Sequence, residues 1–349
     1  MLTLLLPLLF QVAAVAPRAA VDHQVVMADT NGVGRTTIRR SGSRLREDDP
    51  GDPNQTTYTD LHSGLTVIVT VERDGSAREL SVEPGGLRSE RRLPPTGRRD
   101  RALGESCTVS RLVNQAPTGD PSGTEVCETA DGIPLWMARW SAAPPETHIW
   151  GRAVSLERRP IRAAELRLPD LAAEAARFLR TARNTPRAVD YEVRFAAYSP
   201  NAGEEVTRRH GGLLSWEGSE GGVRDVTLTG DEGEIAYSED AAGRPLSLRI
   251  NATSRRPQSW RLWPNRPAEQ VLGETCLWYS VTTNGGLDGS GECRTADGIP
   301  LRTESYYHLS SEPLRRTATS VSRRPLTDAD VALPPRAFDW ASWGVTSAP

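Results

Sequence analysis

The sequence predicts a mainly β fold with minor α: two tandem antiparallel curled sheets or half-barrels, one disulfide each, joined by a helix. Three observations predict it. The string Thr-Ala-Asp-Gly-Ile-Pro-Leu occurs twice, at Thr129–Leu135 and Thr295–Leu301, 166 residues apart. Four cysteines fall two to a copy, Cys107 and Cys127 in the first and Cys276 and Cys293 in the second. Proline, at 26 of 349 residues, exceeds the usual ~5% and suits turns and edge strands better than long helices.

The duplication extends outward from the motif. Gly104-Glu105-Ser106-Cys107 answers Gly273-Glu274-Thr275-Cys276, and Arg158-Arg159-Pro160 answers Arg323-Arg324-Pro325. At the front, Val21-Asp22-His23 resembles Val189-Asp190-Tyr191. A period this long is a whole domain rather than a solenoid unit. The predicted organisation is a signal peptide over 1–20, a β copy over 21–168, a linking helix over 169–187, a second β copy over 188–336 and an irregular tail over 337–349.

In chain order, Val21 to Met27 reads as a strand and Asp48 to Asn54 as a loop dense in Pro, Gly and Asp. Leu65 to Val71 is β-branched; Asp74-Gly75 supplies a hairpin turn and Ala77 to Val82 returns. The Arg-rich stretch Arg88 to Arg101 reads as a loop. Strands follow at Cys107, at Cys127, over Ile133 to Trp140 and over Ile149 to Leu156. In the second copy Tyr191, Val193 and Phe195 alternate, which places three large side chains on one face. Further strands are expected at Arg224 to Thr229, Glu234 to Tyr237 and Leu246 to Ile250, then a repeat of the cysteine hairpin. Pro169 to Arg183 is Ala-rich without internal Gly or Pro and reads as a helix.

The N-terminus carries an apolar core followed by small residues, the pattern of a secretory signal peptide. It predicts an exported, periplasmic protein, with no cysteine placed for a lipid anchor. The duplication selects Cys107–Cys127 and Cys276–Cys293 among the three formal pairings, each copy closing its own loop. Such loops contribute about 3 kcal/mol each. A four-cysteine zinc site would want ligands two to four residues apart, which neither pair offers.

Chemistry is mostly bounded by exclusion. All 42 basic residues are Arg, so lysine-based covalent catalysis is ruled out. A net charge of −3 gives no general attraction to nucleic acid. No phosphate-binding, dinucleotide or Gly-x-Ser-x-Gly pattern occurs, and the five histidines form no metal-ligand spacing, so neither cofactor nor metal is expected. Asp131-Gly132 and Asp297-Gly298 fit two-residue hairpin turns with positive φ. Glu105 and Glu274 are placed to pair with Arg159 and Arg324 as framework contacts. Each copy has a basic stretch before its Gly-Glu-x-Cys. In the second, Arg261 lies between Trp260 and Trp263, a mix suited to an anionic membrane surface. Trp136, Trp140 and Tyr306 follow the turns and are candidates for ligand contact or for sheet packing.

The pattern Gly-Glu-x-Cys, Cys-x-Thr-Ala-Asp-Gly-Ile-Pro-Leu and Arg-Arg-Pro resembles a domain of exported proteins of Gram-negative bacteria, and covers both copies. That resemblance implies export but no particular activity. In outline, a β-meander with a helix near its mouth is also similar to the half-barrel carriers of lipoproteins and lipids. The leading expectation is a non-enzymatic periplasmic binding or carrier protein for an apolar or amphiphilic ligand, such as a lipid or lipoprotein. Next stands an envelope scaffold or protein-interaction module with filled β cores, and last a hydrolase. The oligomeric state is not set by the sequence.

Overall fold

The computed structural model describes residues 21–345 apart from 31, 33, 52, 74–77, 85–89, 115–121, 143–144, 183–188, 200, 231–232, 252–260, 283–288 and 306–313. The expected signal peptide, the Asp74-Gly75 turn, Trp260 and Tyr306 lie outside the described residues. The first copy contains β1 (His23–Asp29), β2 (Arg35–Ser41), β3 (Arg44–Asp49), β4 (Asn54–Asp60), β5 (Leu65–Val71), β6 (Arg78–Glu83), β7 (Glu90–Arg92), β8 (Arg99–Ala102), β9 (Glu105–Asn114), β10 (Ser122–Glu128), β11 (Pro134–Ala142) and β12 (Pro145–Glu157). The helix α1 (Leu171–Ala182) follows. The second copy contains β13 (Tyr191–Phe195), β14 (Glu205–His210), β15 (Leu213–Glu220), β16 (Val223–Gly230), β17 (Gly233–Asp240), β18 (Pro245–Asn251), β19 (Arg261–Leu262), β20 (Glu269–Val271), β21 (Glu274–Thr282), β22 (Gly289–Arg294), β23 (Pro300–Ser305) and β24 (Leu314–Ser322). The fold is mainly β and antiparallel, and strand answers strand in order.

The sequence reading missed β7 and β8 inside the expected Arg-rich loop, and β3, whose last two residues, Asp48 and Asp49, fall in the loop expected over Asp48 to Asn54. Leu45 and Ala102 are the only apolar residues in these short strands, so they carry no period-two apolar signal; neighbouring strands recruit them.

The chain divides into two compact units. One comprises Met1–Val33, Thr37–Gly42 and Glu90–Ile161; the other comprises Gly34–Thr36, Ser43–Ser89 and Arg162–Pro349. In the first, strands follow the order β2, β1, β12, β11, β10, β9, with β7 and β8 both on β9. In the second, the order is β3 to β6, then β18 back to β13, then β24 back to β21, with β19 and β20 on β21.

The compact units do not follow the sequence copies, because β6 pairs with its own counterpart β18. Val82 faces Leu248 and Leu80 faces Ile250. Ser81 faces Arg249, the residue 168 positions on, which is the repeat offset found at the front of each copy. These strands therefore meet about a local two-fold, the self-complementary pairing expected when equivalent edges join.

Alternation along β5, β6, β17 and β18 places Leu65, Val67, Val69, Leu80, Val82, Ile235, Tyr237, Leu248 and Ile250 in one buried cluster. Leu171 and Ala175 from α1 complete it, with Leu333 and, from the tail, Ala337, Trp343 and Val345. The helix is Ala-rich and Asp170 caps it through the Ala173 amide at 3.0 Å. Its Glu174 is 8% exposed and accepts a bidentate bond from Arg78 at 2.8–2.9 Å. The tail was expected to be merely irregular; its indoles lack any period, yet they fill the core.

Both predicted disulfides form, Cys107–Cys127 and Cys276–Cys293. The second lies in a separate core with Tyr191, Val193, Phe195, Trp278, Ile299 and Leu301.

Candidate functional site

Three arrangements of charged and aromatic side chains stand out. The first sits on the repeated turns. Thr129 N donates to Ile133 O at 2.9 Å and Gly132 N to Thr129 O at 3.0 Å; Thr295, Gly298 and Ile299 repeat both bonds. Positive φ occurs at Gly132 (80°) and Gly298 (84°) and not at Asp131 or Asp297. The expected two-residue turn is thus a three-residue loop, in which glycine alone takes the left-handed conformation and the register shifts at Cys127/Glu128 and Cys293/Arg294. The aspartates act through their side chains instead. Asp131 accepts from Thr129 Oγ1 and, at 2.8 Å, from Arg158 Nε; the same Arg158 donates to both Glu105 oxygens at 2.6 Å. Arg323 repeats the clamp with Asp297 at 2.7 Å and Glu274 at 2.5–2.8 Å. The expected partners Arg159 and Arg324 are therefore corrected to Arg158 and Arg323. Alternation turns the neighbouring Arg159 toward Gln24, at 2.9 Å, and Arg324 toward Asp330, at 2.8 Å. The guanidinium bonds hold Asp131 and Asp297 down at about 2. Each clamp ties the turn to two strands, which is a framework role.

The second arrangement stacks arginine on tryptophan around a buried carboxylate. In the first copy Glu125 is fully buried and accepts from Arg98 Nη2 at 3.0 Å and Arg111 Nε at 2.9 Å. Arg98 lies 5.2 Å over Trp136 and Arg111 lies 4.6 Å over Trp140. In the second, Glu304 is 1% exposed and accepts two 2.7 Å bonds from Arg266 and a 2.9 Å contact from Arg315. Arg266 is held between Trp263 at 4.9 Å and Trp278 at 3.4 Å. Glu125 faces Ala138 across its ladder, whereas Gly291 faces Glu304. At the 166-residue offset these are equivalent pairs, so the carboxylate has crossed to the opposite strand while its site persists. Trp136 and Trp140, 1% and 6% exposed, present no ring surface to a membrane or bulk ligand. Trp136 Nε1 donates to Asp100 at 3.0 Å and Trp278 Nε1 to Glu269 at 2.9 Å. Trp263 is half-buried and Arg261 is exposed on β19.

The third is a charged cleft of about 400 Å³, which the sequence reading missed. Glu192 and Arg194 on β13 lie on the face opposite Tyr191 and Val193 and line it with Arg208, Ser215, Glu217, Arg224, Arg324 and Asp330. Its charges alternate across five strands, β13 to β17: Arg194 bonds Glu192 at 3.0 Å, Arg208 bonds Glu192 at 2.9 Å and Glu217 at 3.0 Å, and Arg224 bonds Glu217 at 2.8 Å and Glu239 at 2.8 Å. Arg336, just ahead of the tail, closes the series with two 2.6 Å bonds to Glu239. Arg336 first, with help from Arg224 and Tyr237, holds the Glu239 carboxyl at about 2. Burial, then the bond to Glu239, pushes Tyr237 up to about 12. In the sequence the signal was present only as Glu192 and Arg194, two apart on β13 in the phase the apolar pattern leaves vacant; the other charges sit singly on separate strands.

His210 Nδ1 lies 3.0 Å from Asp190, and its Nε2 lies 3.8 Å from Asp328. Both ring nitrogens therefore face carboxylates. Among the described residues no cluster of His, Cys, Asp and Glu is arranged to hold a metal ion, and no helix is long and apolar enough to cross a membrane.

No family model matches the chain, and no curated protein matches it. A solved structure of PNGF-II in the C2 space group is similar over 76% of this chain and 71% of its own, at 9% identity and a TM-score of 0.32. A likeness that loose carries no argument about fold or function.

Proposed function

We propose that the protein is an exported, non-enzymatic scaffold or protein-interaction module of the bacterial periplasm, built from two tandem curled β modules with filled cores. One observation carries this reading: the apolar face shared by β5, β6, β17 and β18 is covered by the chain's own α1 and tail. Leu171 is 1% exposed and Trp343 5%, so these segments pack as core rather than rest on a rim. The described cleft is lined by ion pairs, which suits a polar surface and not an acyl chain. Two closed disulfides accord with an oxidising compartment. A carrier of an apolar or amphiphilic ligand, the other reading of the sequence, requires α1 or the tail to leave this cluster. Native mass spectrometry after mild purification tests the choice. The filled-core reading expects the mass of the bare chain; a reproducible lipid adduct would overturn it in favour of the carrier.

A further inference from the structure

We propose that the β8–β9 hairpin docks on an anionic lipid surface, through Leu103 at its tip and Arg99 and Arg101 beside it. The tip residues Leu103 and Gly104 both have positive φ, 52° and 77°. A type I′ turn demands this and favours Asn-Gly or Gly-Gly; a leucine there sets Cβ against its own backbone. Leu103 is also 47% exposed, so its strain is not offset by burial. The second copy repeats both features, with Leu272 at φ 54° and 50% exposed. The interiors meanwhile have diverged: Glu125, Trp136 and Val109 correspond to Gly291, Arg302 and Trp278 at the repeat offsets. Both tips therefore point to contacts outside the molecule, and only the first is flanked by the charge that selects an anionic one.

Charge selects the partner. Arg99 and Arg101 stand two apart on β8, opposite Thr108 and Ser106, and are exposed. Among the described residues neither forms an ion pair. Asp100 turns to the other face and binds Trp136, and Glu105 is held by Arg158. The outer face therefore presents an apolar tip flanked by two cations that no carboxylate pairs, Glu128 standing in register with Arg99 but beyond Thr108 on β10; this is the chemistry of acyl chains beneath anionic headgroups. In the second copy Ala268 and Gln270 replace the arginines, which gives a comparison within the same chain. The docking does not depend on whether the cores are filled.

The test is flotation of the full chain with vesicles of phosphatidylethanolamine and phosphatidylglycerol, against phosphatidylcholine alone. Binding is expected to the anionic vesicles only, and to weaken as salt rises. Leu103→Asn removes the apolar contact but suits the turn, so it is expected to weaken binding about tenfold without lowering the melting temperature. Arg99→Gln with Arg101→Gln is expected to weaken it at least tenfold. Leu272→Asn is expected to change it less than about twofold, since that tip lacks the cations. The proposal is overturned if the anionic vesicles do not bind, if binding survives both β8–β9 variants, or if Leu272→Asn weakens it as much as Leu103→Asn.

Discussion

Replacing Trp343 by alanine tests whether the tail is core. The indole is 5% exposed and lies edge-on to Tyr237, with ring centroids 6.4 Å apart at 81°. Its Nε1 donates to the Ala337 carbonyl at 3.2 Å, and Ala337 is fully buried. Truncating a buried tryptophan costs about 3–5 kcal/mol, of which the edge-to-face contact accounts for about 0.5–1.5. The orphaned carbonyl places the expectation in the upper half of that range. At about 2–4 °C per kcal/mol, the melting temperature falls by roughly 10 °C or more. Urea unfolding followed by far-ultraviolet circular dichroism reads the change, with the slope on denaturant unaltered. A loss below about 1 kcal/mol refutes the reasoning, because the tail would then lie over the sheet without packing into it.

Three further predictions follow from the same contacts. Replacing Glu304 by alanine should cost more, about 3–5 kcal/mol, than replacing Glu125, about 1–3. The reason is that Arg266, 19% exposed between two indoles, is left charged and dry, while Arg98 and Arg111 at 51% and 40% reach water; the opposite order in urea unfolding contradicts this. Removing either disulfide as a Cys-to-Ser pair should cost about 3 kcal/mol in both copies alike, since the loops of 20 and 17 residues are nearly equal; a loss below about 1 kcal/mol in one copy contradicts it. Acid should destabilise the fold in two stages. Burial lowers the pKa of His23 below 6.5, so the unfolded chain takes up a proton first and stability falls as pH drops through about 6.5. Asp131, Asp297 and Glu239, at about 2 when folded, add stability above their ordinary values near 4 that is lost toward pH 2. His23→Phe should abolish the upper stage of the melting-temperature profile and leave the lower; an unchanged upper stage assigns it elsewhere.

What the sequence made legible was whatever repeats or alternates. The two disulfides followed from the doubled cysteines, β5 from the β-branched run Leu65 to Val71, and β13 from the alternation of Tyr191, Val193 and Phe195. Long-range choices were not legible. Nothing local in Arg78–Glu83 says that it pairs with Pro245–Asn251, because edge pairing depends on which strand finds the partner across about 168 residues. The Arg158 clamp was misassigned to Arg159 by one position, and one residue along a strand reverses the face. The carboxylates Glu125 and Glu304 escaped notice since they occupy different strands of equivalent hairpins, so a position-by-position comparison of the copies cannot align them.

Hydrogen exchange of the amides in Leu171–Ala182 tests the filled core most directly. The 12 residues of α1, about three turns, would give little protection as an isolated helix. If α1 belongs to the cluster of Leu65, Val67 and Tyr237, its inner amides exchange only with opening of the β5–β6 and β17–β18 ladders, at similar free energy. Exchange of α1 at rates near those of an unfolded chain, while these strands stay protected, would contradict the account.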